Sequence, residues 1–302
     1  MNTLLKENKL PNLLIAGAQK SATTFFNLWL SKHSDIFSEP KECKLFENPE
    51  YDKFNIELLK KDLQEKYYVI RRADWFSNII YQKRLYKHLP NAKIIIILRN
   101  PIQRSISAYY HYMGYGITPP KSPDFIKSLI SGQYPKSIGA YKNILDYGLY
   151  YKHLSSLYNS FDAKRIKIIK NDLLFKNNAD DILKEIFSFL ELDYQKLGKP
   201  ENKYQSSVYN YRLHKFRLAY YRQKYFYDKN RTKSYSIPYK DFSTFKKIFS
   251  KIYWKIDYYI LSRILNEDHI NTEIIDILKD YYREDVKKLQ TMVDFNVSDW
   301  MK

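Results

Sequence analysis

Only one cysteine, Cys43, occurs among the 302 residues of the chain. A single cysteine excludes an internal disulfide and favours a reducing compartment. The N-terminal sequence MNTLLKENKLPNL has no apolar core of signal-peptide length. No stretch approaches the ~18 consecutive apolar residues of a membrane span. From these absences we expect a soluble, cytoplasmic protein.

Acidic residues are also scarce, because 33 Asp and Glu stand against 51 Lys and Arg, for a formal net charge of +18. Such an imbalance predicts anionic partners. The sequence lacks a His, Cys and Asp cluster with the spacing of metal ligands, so we predict no metal. With 44% apolar residues, the chain is long enough for one large domain, which we predict over residues 1–302.

A strong pattern occupies residues 13–26, LLIAGAQKSATTFF. Its apolar run predicts a buried strand that breaks at Gly17, and a helical pattern begins after Thr24. Free N–H groups at a helix start, together with the charge of Lys20, favour a phosphate group. Because many such junctions bind nothing, this stretch alone leaves a phosphate site and an ordinary junction as even alternatives.

The same loop differs from the P-loop of kinases and NTPases, whose pattern is G-x-x-x-x-G-K-S/T. Lys20 follows Gly17 by only three residues, and Gln19 stands where that pattern has its second glycine. The loop is therefore shorter, with room for one phosphate rather than a triphosphate.

A second pattern lies at residues 92–98, AKIIIIL. This continuous run predicts a central parallel strand that is buried on both faces. Arg99 follows the strand directly, at the edge where open α/β sheets bind ligands, and Pro101 opens a helix. Ser107 comes eight residues after Arg99, so the two side chains are predicted to grip one phosphate. Taken alone, Ser107 is better explained as an ordinary helix hydroxyl.

Strand and helix patterns alternate along the rest of the chain, which predicts an α/β fold with a central parallel sheet flanked by helices. Trp300 is expected to anchor the C-terminal helix to the core. We predict further strands at 63–70 and 165–169, helices at 76–89, 147–161, 178–190 and 273–292, and a loop-rich stretch at 114–140.

One carboxylate, Glu42, lies between Lys41 and Lys44. Neighbouring cations favour the charged form of a carboxyl group. The alternative is that these residues form an ordinary solvated surface pair.

The segment 203–263 differs in composition, since it holds 15 Lys and Arg against three acids, and 12 of the 30 tyrosines. We predict a basic helical insertion there. Interleaved tyrosine and cationic side chains suit an anionic or ring-rich acceptor such as a sugar polymer. The alternatives are nucleic acid, a negatively charged membrane surface, or solvated helices whose tyrosines pack in the core.

Together these residues resemble the 3′-phosphoadenosine-5′-phosphosulfate (PAPS)-dependent sulfotransferases, of the heparan sulfate or bacterial carbohydrate branch. Residues 17–24, GAQKSATT, resemble the 5′-phosphosulfate loop of that family, and residues 98–112, LRNPIQRSISAYYHY, resemble its 3′-phosphate motif. PKECKLFE resembles the stretch that carries the catalytic base, which places the base on Glu42. The resemblance implies a P-loop-like sulfotransferase fold over nearly the whole chain, with the basic segment least matched.

The family pattern also implies a role for each matched residue. Lys20 stabilises the leaving group, and Glu42 takes the proton of the acceptor. Arg71 aligns the sulfonate or an acidic acceptor. The residues implied in nucleotide binding are Lys20, Ser21, Ala22, Thr23, Thr24, Arg71, Arg99, Ser107 and, more loosely, Arg212. Two positions depart from the family pattern, because Ala22 stands where glycine is usual and Lys44 replaces a histidine.

The resemblance therefore implies transfer of a sulfuryl group from PAPS to a hydroxyl or amine of a glycan or glycolipid, with 3′,5′-ADP as the product and no metal. The disulfide, luminal location and membrane anchor of the vertebrate enzymes are not expected here, which favours a bacterial-type cytoplasmic enzyme. Peripheral membrane-surface contact through the basic segment is a further expectation. Two alternatives stay open, a P-loop-type nucleotide kinase or NTPase and a basic nucleic-acid-binding protein, although nucleic acid is the less favoured partner.

Overall fold

The structure is a computed structural model that falls into two compact units. The first comprises Met1–Arg104, Leu149–Lys203 and Glu284–Lys302, and the second comprises Ser105–Gly148 and Tyr204–Arg283. The residues that the structure describes are 7–47, 51, 55–114, 122–134, 139–175, 179–198, 225–227, 234–236, 243–245, 248, 252 and 272–302.

The first unit is built on a five-stranded sheet in the order β3-β5-β2-β6-β7, in which every neighbouring pair is parallel. This confirms the predicted α/β class with a central parallel sheet. A separate antiparallel pair joins β1 to β4. The strands of this unit are β1 (Glu7–Lys9), β2 (Leu13–Gly17), β3 (Ile36–Ser38), β4 (Lys61–Leu63), β5 (Tyr67–Arg71), β6 (Lys93–Leu98) and β7 (Ile166–Lys170).

Helices alternate with strands along the chain, as the alternation of sequence patterns predicts. The helices are α1 (Thr23–Leu30), α2 (Ile79–His88), α3 (Pro101–Gly114), α4 (Ser122–Ile130), α5 (Gly139–Asp146), α6 (Tyr150–Tyr158), α7 (Ala179–Leu190) and α8 (Thr272–Leu289). Short 3₁₀ turns occupy Leu45–Glu47, Ile56–Leu59, Ala163–Arg165, Asn171–Leu174 and Ser298–Met301. None of the helices in the described segments combines the length and the apolar character of a bilayer-spanning helix.

The central strands are buried on both faces, which explains their unbroken apolar sequences. On one face, Leu13 and Ile95 pack with Trp29 of α1 and Ile186 of α7 in one core cluster. Successive side chains of a strand point to opposite faces, so Leu14, which is 0% exposed, lies on the other face. Burial on both faces is the usual setting of a parallel strand between helices.

The strand predicted at 63–70 and the loop predicted at 114–140 differ from the observed fold. The strand predicted at 63–70 is two strands, β4 and β5, separated by the polar residues 64–66, because β4 pairs with β1 rather than joining the main sheet. The loop predicted at 114–140 is wrong for 122–130, which form α4. Pro123 occupies the first turn of α4, where proline is tolerated, and Phe125 and Leu129 are buried at helical spacing.

The second unit contains α4, α5, most of α3 and α8, and a short antiparallel pair, β8 (Tyr225–Tyr227) with β9 (Ser234–Ser236). These two strands differ from the helix predicted there, and most of the basic segment 203–263 lies outside the described residues. The predicted C-terminal helix is confirmed as α8, with Ile274, Leu278 and Tyr282 buried. Trp300, in the first unit, is 3% exposed and packs on Tyr150, as expected of an anchor.

Candidate active site

The site forms where three neighbouring strands of the first unit end. β5, β2 and β6 are adjacent and parallel, so the segments that follow them meet at one edge of the sheet. With neighbouring strands about 4.8 Å apart, these three ends lie within about 10 Å of each other. The chain places later strands on both sides of β2, and such a switch in strand order is where open α/β sheets bind ligands.

The loop after β2 is shaped to leave N–H groups facing a ligand. Ala18 N donates to Ile97 O of β6 at 2.8 Å, which fixes the loop against the neighbouring strand. Lys20 and Ala22 both have left-handed backbones, with φ of 68° and 64°. Ala22 precedes α1 and its methyl group cannot accept a hydrogen bond, so the first N–H groups of α1 are available to an anion. The left-handed φ also explains why glycine suits the position of Ala22.

Gly17 is required at the end of β2 by a close approach of the chain that leaves β5. A Cβ atom at Gly17 would lie 2.6 Å from Phe76 Cβ and 3.1 Å from Ala73 O. Phe76 N donates to Ala16 O at 3.0 Å. The glycine therefore lets the segment after β5 cross directly over the loop that carries Lys20.

A cluster of cations lies on the β6 side of this loop. Arg99 follows β6 and donates from Nη1 to Lys20 O at 3.3 Å, while Arg104 on α3 is 0% exposed. Burial lowers the pKa of Lys20, and the charges of Arg99 and Arg104 lower it further. Burial is also the main cause that lowers the pKa of Arg99. Like charges gathered in a buried place favour an anionic ligand, which relieves their repulsion.

Sequence reasoning missed Arg104. The signal that points to it is its position one helical turn after Asn100, on the helix that opens directly behind the strand end. The charge of its guanidinium, like that of Arg99, lowers the pKa of Lys20.

Ser21 supplies a polar atom that is ready for a ligand. Its side chain is 0% exposed, and its Oγ makes no hydrogen bond with the residues that the structure describes. The carbonyl of Ser21 accepts from Asn171 Nδ2 at 3.0 Å, which fixes this turn of the loop. A buried hydroxyl without a partner is costly, and a phosphate oxygen is an acceptor that would satisfy it. Asn171, at the end of β7, is a second residue that sequence reasoning missed.

Glu42 lies on the β5 side of the loop, where its charge is balanced by arginines. Its Oε1 accepts from Arg71 Nη1 at 3.1 Å and its Oε2 from Arg72 Nη1 at 2.5 Å. The expectation that Lys41 and Lys44 flank this charge is not met, because both are exposed while Glu42 turns toward the end of β5. The Glu42 side chain keeps 31% of its surface exposed, so an acceptor can reach it.

Arg71 connects this carboxylate to the loop. The arginine is the last residue of β5 and its side chain is 9% exposed. Besides Glu42, its Nη1 donates to Thr24 Oγ1 at 3.1 Å and its Nη2 to Pro40 O at 3.3 Å. Cys43 N donates to Arg71 O at 3.0 Å, which fixes the backbone beside Glu42. The structure therefore brings together Lys20, Thr24, Glu42, Arg71 and Arg99, all of which were predicted.

A sequence model of one family, described as "Sulfotransferase domain", matches residues 10–290 of the chain. The chain belongs to the sulfotransferase family. The predicted family is thereby confirmed, and the strand ends described above lie within the matched region of this sulfotransferase.

Curated relatives of this sulfotransferase include a Xenopus tropicalis protein described as bifunctional heparan sulfate N-deacetylase/N-sulfotransferase 1. It is 28% identical over 208 residues, which are 63% of this chain and 23% of that protein. The membrane-associated sulfotransferase kil1 of Dictyostelium discoideum is 35% identical over 108 residues, which are 33% of this chain and 23% of that protein. The chain thus spans less than a quarter of these relatives.

Solved structures resemble this sulfotransferase in fold. A sulfotransferase from Alicyclobacillus acidocaldarius has a TM-score of 0.64 at 16% identity, with 97% of this chain and 100% of that chain covered. The sulfotransferase domain of the curacin biosynthetic pathway has a TM-score of 0.51 at 13% identity, with coverage of 94% and 99%. The predicted P-loop-like sulfotransferase fold is confirmed.

Three residues of the predicted site, Thr23, Ser107 and Arg212, are not part of the side-chain contacts described above. Thr23 is buried at the start of α1, where its N–H is among those available to a ligand. Ser107 lies on α3, half-buried, in the second unit, whereas Arg99 belongs to the first, so their joint grip on one phosphate stays a prediction. Arg212 lies outside the described residues.

Proposed function

We propose that this sulfotransferase transfers the sulfuryl group of PAPS to a hydroxyl or amine of a glycan or glycolipid and releases 3′,5′-ADP. One observation supports this most strongly. The loop after β2 has half-buried cations and the unpartnered Ser21 hydroxyl on one side, and a partly exposed carboxylate, Glu42, on the other. A doubly phosphorylated donor and a proton acceptor are the two requirements of that reaction.

The cationic side is assigned to the donor. The N–H groups at the start of α1, with the hydroxyls of Ser21, Thr23 and Thr24, hold the 5′-phosphate. Lys20 neutralises the charge that develops on the leaving phosphate oxygen, where a preorganised cation in a buried place is most effective. Arg99 holds the 3′-phosphate with bidentate hydrogen bonds, in the motif that also contains Ser107.

The Glu42 side is assigned to the acceptor. As the acceptor oxygen or nitrogen bonds to sulfur, its proton passes to a carboxylate oxygen of Glu42, and the bond from sulfur to the bridging phosphate oxygen breaks. The electron pair of that bond stays on the phosphate beside Lys20. General base catalysis of this kind contributes about 10²–10⁴-fold to a rate. The step needs no metal, which remains a prediction for this protein.

The acceptor class is supported by the relatives and by charge. Matched proteins are described as heparan sulfate N-sulfotransferases, which favours a glycan acceptor. The net charge of +18, with 15 Lys and Arg in the segment 203–263, suits an anionic polymer or an anionic membrane surface near it. A cytoplasmic location is a separate prediction, which cell fractionation tests.

The test is to supply the purified protein with PAPS labelled in its sulfuryl group and two matched glycosaminoglycans, one with free amines and one fully N-acetylated. Label in both polymers indicates hydroxyl acceptors, and label in the first alone indicates amines. Glu42→Gln is expected to lower turnover by about 10²–10⁴-fold while 3′,5′-ADP binding is retained. Full turnover in this variant would remove Glu42 as the base.

A matched control is Glu57→Gln, because Glu57 is a surface carboxylate paired with Lys60 at 2.6 Å and should not affect turnover. The kinase alternative is tested by binding. Tighter binding of ATP–Mg²⁺ than of 3′,5′-ADP would favour a nucleotide kinase, and a steep salt dependence of binding to generic DNA or RNA would favour a nucleic-acid-binding protein.

A further inference from the structure

A circuit of hydrogen bonds leaves the loop after β2 and returns to it through Glu42. Both of its ends, Gln19 and Thr24, belong to the stretch 17–24 that is assigned to the donor. Two of its inner members, Arg72 and Asp74, have no role in the proposed reaction. In order, the circuit runs through Gln19, Asp74, Arg72, Glu42, Arg71 and Thr24.

Arg72 is the branching point of this circuit. Its Nη1 donates to Glu42 Oε2 at 2.5 Å, and its Nε and Nη2 donate to the two oxygens of Glu47 at 2.5 and 2.9 Å. Nη2 also lies 2.5 Å from Asp74 Oδ2. All three nitrogens of the guanidinium are therefore engaged with carboxylates.

The geometry of a guanidinium fixes the orientation of Arg72 Nη1 in this arrangement. The group is planar and rigid, so two bonds to Glu47 and one contact with Asp74 fix the plane in which Nη1 points. That nitrogen holds one oxygen of Glu42. Glu47 and Asp74 therefore fix the position of one Glu42 oxygen through Arg72, while Arg71 holds the other oxygen.

The charges of the cluster show why an arginine is needed. Burial raises the pKa of Glu47 and of Asp74, so both carboxylates depend on a cation beside them. Burial lowers the pKa of Arg72, but its hydrogen bond with Glu47 and the three carboxylate charges raise it by more. The Arg72 side chain is 19% exposed, and one ammonium group could not span three carboxylates from the same place.

Asp74 extends the circuit to the donor loop, since Gln19 Nε2 donates to Asp74 Oδ1 at 3.1 Å. Gln19 directly precedes Lys20. The donor loop is therefore connected through Asp74 to Arg72, and through Arg72 to the carboxylate of Glu42.

We propose that Arg72 is a positioning residue of the transfer reaction, which holds the Glu42 carboxylate in line with the donor loop through Glu47 and Asp74. This rests on the proposed role of Glu42 as the base. Sequence reasoning assigned no role to Arg72, although the pair of arginines at the end of a strand was visible.

The test is a double-variant cycle of Arg72→Lys with Glu42→Gln, in which kcat, KM for PAPS and the Kd of 3′,5′-ADP are measured on folded protein. Arg72→Lys keeps the charge but loses the planar fork. Because a misplaced catalytic group can cost about 100-fold, we expect kcat to fall about 10–100-fold, with the KM and Kd changed less than about threefold. An unchanged kcat would overturn the proposal.

The cycle separates positioning from general support of the fold. If Arg72 acts through Glu42, adding Arg72→Lys to Glu42→Gln should lower kcat less than about threefold further. Losses that multiply would overturn the proposal. A Glu42→Gln variant with full turnover would instead overturn the proposed function, so the two failures are distinguishable.

Two further variants complete the experiment. Asp74→Asn removes one support of Arg72 and takes the place of Arg72→Lys in the same cycle if that variant does not fold. Arg84→Lys is the matched control, because Arg84 lies in the same unit, donates to Phe46 O at 2.8 Å and stacks on Tyr51 at 4.2 Å. An Arg84→Lys variant that lowers kcat as much as Arg72→Lys would overturn the proposal.

Discussion

Replacing Ser21 by alanine should affect stability and nucleotide binding in opposite directions. The Ser21 side chain is fully buried, and its hydroxyl has no partner among the described residues. A buried polar group left unsatisfied costs about 1–3 kcal/mol. Ser21→Ala removes this group with a change of one atom, so the free protein should become more stable by a similar amount.

The size of both effects follows from the same hydroxyl. With about 2.1 cal/mol/K of unfolding entropy per residue, a gain of about 1–3 kcal/mol raises the Tm of this chain by roughly 2–5 °C. A hydrogen bond to a charged acceptor contributes about 1.5–3 kcal/mol, so the Kd of 3′,5′-ADP should rise about 10- to 150-fold. Differential scanning fluorimetry and titration calorimetry measure the two quantities.

The matched control is Ser31→Ala, since Ser31 lies exposed at the other end of α1, where its hydroxyl donates to Leu28 O at 3.0 Å. That variant should leave nucleotide affinity unchanged. If Ser21→Ala lowers Tm and leaves the affinity for 3′,5′-ADP unchanged, the hydroxyl has a structural role and the assignment of this loop to the 5′-phosphate is wrong.

Two further predictions concern the same loop. Since burial, Arg99 and Arg104 lower the pKa of Lys20, the lysine is charged below that lowered pKa and neutral above it. The affinity for 3′,5′-ADP should therefore fall as the pH rises through the pKa of Lys20. Calorimetry between pH 7 and 10.5 should show this fall in the wild type and not in Lys20→Arg. If affinity depends on pH in the same way in both proteins, the role of Lys20 is refuted. Gly17→Ala places a Cβ 2.6 Å from Phe76 Cβ and should destabilise the fold by about 1–3 kcal/mol, and an unchanged denaturation midpoint would contradict that packing.

The parts of the fold that sequence reasoning found are those whose pattern depends on local burial. β2 and β6 are buried on both faces, so their sequences are continuous apolar runs that need no knowledge of their neighbours. Lys20 and Arg99 could be placed because Arg99 follows β6 directly and Lys20 comes three residues after the end of β2. The helix α4 was missed because Pro123 and nearby prolines suggested a loop, although proline in a first turn is compatible with a helix.

The charge partners of Glu42 could not be predicted, because they depend on which strand lies beside which. Glu42 lies within two residues of Lys41 and Lys44 in sequence, whereas Arg71 and Arg72 come 29 and 30 residues later. They meet because β3 pairs with β5 in register and the segment after β3 then runs alongside the end of β5. A local sequence pattern does not show which strands pair, so the residues nearest in sequence were wrongly taken as the charge partners of Glu42.

The loop after β2 is held by side chains from two sides, and the two sides have different roles in the proposed reaction. From the β6 and β7 side, Arg99 contacts Lys20 O and Asn171 contacts Ser21 O. From the β5 side, Asp74 contacts Gln19 and Arg71 contacts Thr24. On the first side, burial and the charges of Arg99 and Arg104 lower the pKa of Lys20, whereas on the second side Arg71 and Arg72 hold the Glu42 carboxylate. In the proposed reaction, the cations assigned to the donor and the carboxylate assigned as the base are therefore attached to strands on opposite sides of β2.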